Sequence, residues 1–311
     1  MLFFLFSLFL ISQGLTAQQA YIKRINAFVP HEYASLSEFE RQYLSSEKYQ
    51  ACLNWFEECS EMECKKIEYM SDHYKVVALL ITPKNMEQKK YPLVIYNRGG
   101  SEDIGKVTIL TIKEKIYEFI KNGYCVLAAQ YRGVDGGQGS DEIGGADIKD
   151  VLSLFKVIDE LDCIDRDNIF MYGHSRGGMM TYMAIKVGMP IKAAATEAGV
   201  ADFFTFVKFR PEVEDAFLNK CIPNLPDKKN EEYEKRSAVC WADLLNVPLF
   251  ITHAKDDTIV SIEESRNLIE KLKFYKKDYE YLEYDDGGHF LKMHRNEIQQ
   301  KILAWFEKYR N

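Results

Sequence analysis

Short apolar runs alternate with amphipathic stretches along most of the chain. Pro92-Leu93-Val94-Ile95-Tyr96, Tyr124 to Gln130, Asn168-Ile169-Phe170-Met171-Tyr172, Ile191 to Thr196 and Val247 to Thr252 are apolar runs of strand length, as expected where both faces of a strand are covered. Residues 110–122, 146–160 and 261–273 lie between or after them and read as helices. Ile67-Glu68-Tyr69-Met70 and Lys75 to Thr82 flank the turn Ser71-Asp72-His73 and predict a hairpin. Tyr279 to Tyr284 predicts the last strand. Ile298, Ile302, Trp305, Phe306 and Tyr309 then share one face of a terminal helix. Strands alternating with helices imply an α/β fold, a mostly parallel twisted sheet with helices on both faces. Ligands of such sheets bind beyond the carboxyl ends of the strands.

Two stretches break the alternation. Residues 33–66 place Tyr43, Tyr49, Leu53 and Phe56 at helical spacing, which predicts a helical extension over 18–66 ahead of a catalytic domain at 67–311. Residues 201–236 carry Phe203, Phe204, Phe206 and Phe209, then Pro211, Pro223, Pro226 and a charged run from Asp227 to Arg236. They predict an inserted lid whose aromatic residues, Phe203 and Phe206 foremost, face a substrate.

The chemistry centres on Gly173-His174-Ser175-Arg176-Gly177-Gly178. It follows an apolar strand and precedes the apolar helix from Met179 to Ile185. A serine on so sharp a strand-to-helix reversal, with glycine two before and two after, fits a nucleophile elbow. The reversal strains the serine backbone, and a Cβ at Gly173 or Gly177 would meet neighbouring backbone. The hydroxyl then stands at a helix N-terminus, where N–H groups favour a developing negative charge. Serine needs a base, and folds of this kind place the partners in the order Ser, Asp or Glu, His, each after a late strand. Phe250 to Val260 puts Asp256 and Asp257 just past one strand, and Asp286-Gly287-Gly288-His289 follows the next. Ser175, Asp257 and His289 have the required order. Asp147 and Asp150, one turn apart at a helix start, read as partners of the helix dipole. His174 reads as packing and His253 as a structural residue at a strand end.

Composition narrows the partners. A net charge of −7 over 311 residues argues against nucleic acid or an anionic membrane. The glycine-rich loop from Tyr131 to Ser140 lacks a phosphate-binding pattern, and the six histidines are scattered, so neither cofactor nor metal is expected. Leu2 to Ile11 is an apolar block, too short to cross a bilayer and followed by small and polar residues. It predicts a signal peptide over residues 1–17, cleaved after Ala17, and a periplasmic or secreted product with no lasting membrane insertion. Export would let some of the seven cysteines oxidise: Cys221 with Cys240, and a pair among Cys52, Cys59 and Cys64. Cys125, in a strand, reads as a small buried hydrophobe.

From about Ile67 onward the sequence resembles the α/β-hydrolase fold, most closely the catalytic domain of the prolyl oligopeptidase (S9) family. The resemblance rests on Gly173 to Gly178, the Tyr131-Arg132-Gly133 loop leading to Gly144-Gly145-Ala146-Asp147, the block His253 to Val260, and Asp286 to His289. It implies Ser175 as nucleophile, His289 as base then acid, and Asp257 as the orienting carboxylate. Asp257 is preferred to Asp256 because Thr258-Ile259-Val260 follows it as the family pattern asks; Asp256 is the fallback. Two departures stand out. Residues 1–66 precede the matched segment, where the family's peptidases carry a β-propeller, so size exclusion by a propeller is not expected. Arg98 stands where the oligopeptidases have an oxyanion-hole tyrosine and many esterases a histidine. Arg176 N–H is expected to supply one oxyanion donor, and Gly99 or Arg98 the second. Arg98 either reaches the substrate or forms a salt bridge with Glu102 or Glu197; Glu197, closing a strand that faces the site, is a further candidate for substrate binding.

The reading is an exported serine hydrolase that cleaves a peptide or ester bond in a small ester or short peptide. A carboxylesterase acting on small or carbohydrate-linked esters, and a non-catalytic binding protein on the same scaffold, are the alternatives.

Overall fold

The computed structural model describes residues 20–30, 36, 41, 44–84 and 90–311. The predicted signal segment 1–17 lies outside them, as does Tyr43. Among the described residues nine strands form one sheet: β1 Ile22–Ala27, β2 Met62–Ser71, β3 Tyr74–Pro83, β4 Tyr91–Asn97, β5 Cys125–Ala129, β6 Ile164–His174, β7 Ala194–Glu197, β8 Leu249–Ala254 and β9 Tyr279–Tyr284. Their order is β1-β2-β3-β5-β4-β6-β7-β8-β9. β1, β2 and β3 pair antiparallel, β3 joins β5 antiparallel, and every pair from β5 through β4 to β9 is parallel. This is the α/β-hydrolase fold. Among the described residues no helix is long and apolar enough to cross a membrane.

The apolar runs do what their pattern predicts. Every residue of β4, β5, β7 and β8 is buried. Successive residues feed opposite layers: Leu93, Ile95, Cys125 and Leu127 belong to one core, Val94, Tyr96, Val126 and Ala128 to the other. The helix Arg176–Lys186 packs in the first layer and the terminal helix Arg295–Tyr309 in the second, where Phe306 stacks on Phe170 at 4.7 Å.

Several boundaries differ from the sequence reading. β2 begins at Met62, five residues before the predicted hairpin arm, and β1 adds a strand where helix was expected. β1 is exposed along nearly its whole length, so its burial pattern lacks the alternation that marks a strand in sequence. The helix of the N-terminal region is Ser46–Glu58, capped by Ser45. The stretch predicted as helix 146–160 is two short helices, Ile148–Leu152 and Leu154–Ile158.

All seven cysteines are free thiols. Neither the expected Cys221–Cys240 pair nor a pair among Cys52, Cys59 and Cys64 is made. Cys125 is buried, as read, and its thiol shares a hydrogen bond with the free thiol of Cys163.

The elbow is wedged against the end of β4. A Cβ on Gly177 would stand 1.8 Å from the Asn97 carbonyl oxygen, and one on Gly173 would stand 2.2 Å from the Gly177 carbonyl oxygen. Neither neighbour can yield, because both are backbone. Gly177→Ala is therefore expected to destabilise by at least about 3 kcal/mol, read from the denaturant midpoint. A Gly177→Ala protein as stable as wild type would contradict this packing.

Candidate active site

Ser175 caps the helix Arg176–Lys186 with φ 57° and ψ −126°, a left-handed backbone unusual for a residue with a side chain. Its N–H donates to the Glu197 carbonyl at 2.9 Å, and its own carbonyl accepts from Gly178 and Val200. These three hydrogen bonds hold the strained backbone that presents Oγ above the sheet. His289 comes from the glycine turn after β9, and Asp257 from the loop after β8.

These three side chains meet. His289 Nδ1 donates to Asp257 Oδ2 at 2.8 Å. With that proton on Nδ1, Nε2 is the acceptor for the Ser175 hydroxyl, 2.9 Å away. Asp257 also accepts from the Ile259 and Val260 amides at 2.8 and 3.0 Å, and from His253 Nε2 at 3.1 Å. Burial alone would raise its pKa; the hydrogen bonds from His253 and His289 outweigh burial and hold it well below the usual carboxylate range. His253 is thus more than a strand-end residue. Its other nitrogen meets Ser265 Oγ at 2.7 Å, which fixes the ring against the carboxylate. Asp256, the fallback, has a different part: it accepts from Gly288 N–H at 2.8 Å and ties the histidine turn to the β8 loop.

Gly99 lies directly against Ser175; a Cβ there would be 3.1 Å from Ser175 Cβ. Arg98 neither reaches out into the cleft nor pairs with a carboxylate. Its guanidinium is buried and donates to four carbonyls, those of Gln130 at 2.8 Å, Gly99 at 3.1 Å, Ile104 at 2.9 Å and Glu102 at 2.9 Å. Burial, aided by nearby Arg176, brings its pKa down to about 10. Arg98 therefore shapes the Gly99 turn through backbone bonds. The position is better filled by arginine than by the expected tyrosine or histidine because only guanidinium offers enough donors in one plane. Glu197, the other candidate for substrate contact, is buried and bound by Lys115 and the Tyr172 hydroxyl. Its pKa falls to about 2: burial opposes, but the charge of Lys115 and the hydrogen bonds from Lys115 and Tyr172 prevail. Phe203 and Phe206 do line the cleft, from the helix Phe203–Phe209 in the predicted lid.

Other ion pairs were not legible in the sequence. Arg176, valued for its N–H, also sends a buried guanidinium to Asp141 at 2.6 Å and to Asp147. Asp150 holds Arg132 at 2.8 Å and Ser71 at 2.6 Å. Asp147 and Asp150 do stand at the start of the helix Ile148–Leu152, and they are in addition the ion-pair partners of Arg176 and Arg132. His174 bonds the His289 carbonyl at 3.0 Å and stacks on Phe290 at 5.6 Å. The surrounding cleft has a volume of about 910 Å³.

Comparison with known proteins identifies the family. The model of the prolyl oligopeptidase family (peptidase S9) matches residues 111–311. The chain belongs to this family. As a member of the prolyl oligopeptidase family it is a serine hydrolase. It is 30% identical over 241 residues to the uncharacterized peptidase YtmA of Bacillus subtilis, covering 77% of this chain and 91% of that protein. Its fold is similar to that of the uncomplexed Pyrococcus horikoshii acylaminoacyl peptidase: TM-score 0.69 at 23% identity, over 82% of this chain and 43% of that one. It is similar also to acetyl xylan esterase 1 of Thermoanaerobacterium: TM-score 0.62 at 15% identity, over 80% of this chain and 85% of that one.

The buried groups imply a pH dependence of stability. Burial, reinforced by Lys115 and His289, lowers the His174 pKa from 6.5 to about 3. Above pH 6.5 neither folded nor unfolded chain is protonated there. As pH falls from 6.5 toward 3 only the unfolded chain takes up the proton, so folding loses stability. Glu197 adds a second loss as pH falls from 4.5 toward 2. Tm is therefore expected to decline from about pH 6.5 downward, with the upper part of the decline reduced in His174→Gln. A Tm that is flat down to pH 4.5 would contradict the buried neutral imidazole.

Proposed function

We propose that this chain is an exported peptidase that forms an acyl-enzyme on Ser175, with His289 as general base and then acid and Asp257 as its orienting carboxylate. The hydrogen-bonded series Asp257–His289–Ser175, at 2.8 and 2.9 Å, is the observation that carries this reading. The carboxylate only accepts, so it keeps the imidazole proton on Nδ1 and leaves Nε2 free to take the serine proton. Ser175 Oγ then attacks the substrate carbonyl. The oxyanion forms between the Arg176 and Gly99 N–H groups, one at the start of a helix and the other fixed by the Arg98 clamp. His289 next protonates the departing amine, and water repeats the sequence on the acyl group.

Phe203, Phe206, Val213 and Phe217 line one end of the cleft and suit a large apolar or aromatic acyl side chain. The similarity to a peptidase along most of both chains favours an amide over an ester. Export rests on the apolar block from Leu2 to Ile11. N-terminal sequencing of the mature product checks it, with residue 18 expected first.

A panel of p-nitrophenyl esters and N-acyl-aminoacyl-nitroanilides separates the substrate classes. Ser175→Ala is expected to lose at least about 10³-fold in kcat on every substrate and to refuse a fluorophosphonate probe. Asp257→Asn should retain labelling at a much slower rate. Turnover by Ser175→Ala equal to wild type would remove the assigned nucleophile. Ester cleavage with no amide cleavage would move the chain to the esterases.

A further inference from the structure

The two ends of the cleft differ in charge. The lid end is aromatic, and the charges it adds to the lining, Arg210 and Glu212, pair with each other at 3.1 Å. The opposite end is walled by the helix Ser46–Glu58, the helical stretch 109–121 and the segment after His289, and there Lys48, Lys115 and Lys292 line the cleft. Glu114 is the one carboxylate lining that end among the described residues, and Arg295 holds it at 2.9 Å. Lys48 forms no ion pair among the described residues.

Lys115 is the unusual member. Its side chain is 8% exposed, yet its ammonium donates to Glu197 alone among the described residues. An ammonium has three N–H groups, so two find no protein acceptor among the described residues, and Lys115 lines the cleft. Burying such a group is costly unless its donors are used. The position is also fixed. Glu197 accepts from Tyr172, and it is the register partner of His174 across β6 and β7. His174 in turn bonds the His289 carbonyl at 3.0 Å.

Which half of a substrate meets this end follows from proton transfer. The protonated imidazole hands its proton to the leaving group, so that group lies on the side of His289 and of Phe290 and Lys292 behind it. The acyl half then occupies the aromatic end. We propose that the lysine end is a subsite for an anionic leaving half, the amine fragment of a short peptide that carries the free C-terminal carboxylate, with Lys115 as the buried donor and Lys48 and Lys292 at the rim. This rests on the peptidase reading above and names the product it releases.

Two substrates with one acyl half isolate the effect: an N-acyl-phenylalanyl-glycine and its glycinamide differ only in the terminal carboxylate. Wild type is expected to cleave the free acid with about tenfold higher kcat/KM, a ratio that shrinks as salt is raised. Lys48→Ala with Lys292→Ala should lower the ratio about threefold or more. Lys115→Met combined with Glu197→Gln should bring it near one; the double change avoids stranding a buried carboxylate. If that protein does not fold, the Lys48, Lys292 variant decides. Cleavage of both substrates by wild type at equal rates, or a ratio unmoved by the variants, would overturn the subsite while leaving the peptidase reading intact. Cleavage of neither would sink the peptidase reading, and the subsite with it.

Discussion

Backbone against backbone at the turn after β6 is the constraint on which the rest of the molecule depends. The Gly177 Cα sits against the Asn97 carbonyl with no room for one more carbon. That contact forces the chain to reverse between strand and helix, and the reversal forces Ser175 into its left-handed conformation. The cost, on the order of 1–3 kcal/mol, is tolerated because the surrounding sheet over-determines the position. Everything else at the carboxyl edge of the sheet is arranged about this fixed point. The Gly99 turn arrives from β4 beside it, and the β8 loop and the histidine turn from two and three strands away.

Those loops are fixed by buried charge. Arg98 holds the Gly99 turn by its carbonyls, Arg132 and Arg176 hold the glycine-rich loop through Asp150, Asp141 and Asp147, and Lys115 holds the end of β7 through Glu197. Such pairs add little net stability, because desolvation offsets most of the attraction. Their contribution is geometric. A guanidinium with several acceptors allows one arrangement of its neighbours, and proton transfer over distances of 2.8 and 2.9 Å tolerates little variation. Arg98 and Arg176 lie at 4.9 and 4.8 Å from the Tyr131 ring, so one aromatic residue braces both clamps.

The sequence revealed those features that are written locally. Apolar runs mark strands buried on both faces, so the cores of β4 to β8 and their mostly parallel direction could be read in advance, though not their order in the sheet. The glycines about Ser175 state a steric requirement that few other turns share. The order of Ser175, Asp257 and His289 along the chain follows from the strand order of the sheet. What stayed hidden depends on distance in the chain. Nothing near Lys115 indicates that Glu197, 82 residues later, lies beside it. Arg98 looked like a residue aimed at substrate because its four acceptors are carbonyls, which every residue carries and no pattern distinguishes. β1 was missed since an exposed edge strand has no apolar alternation to display.

That edge strand has a bearing on the proposed chemistry. An open sheet margin offers unpaired amides and carbonyls to any extended chain, and extended chains are what a peptidase meets. β1 is six residues long, exposed, and carries Lys23, Arg24 and Asn26. Short, charged margins are poor templates for strand addition. A peptide that would otherwise be captured on the flank, unproductively and at the risk of seeding aggregates, is left free to find the cleft.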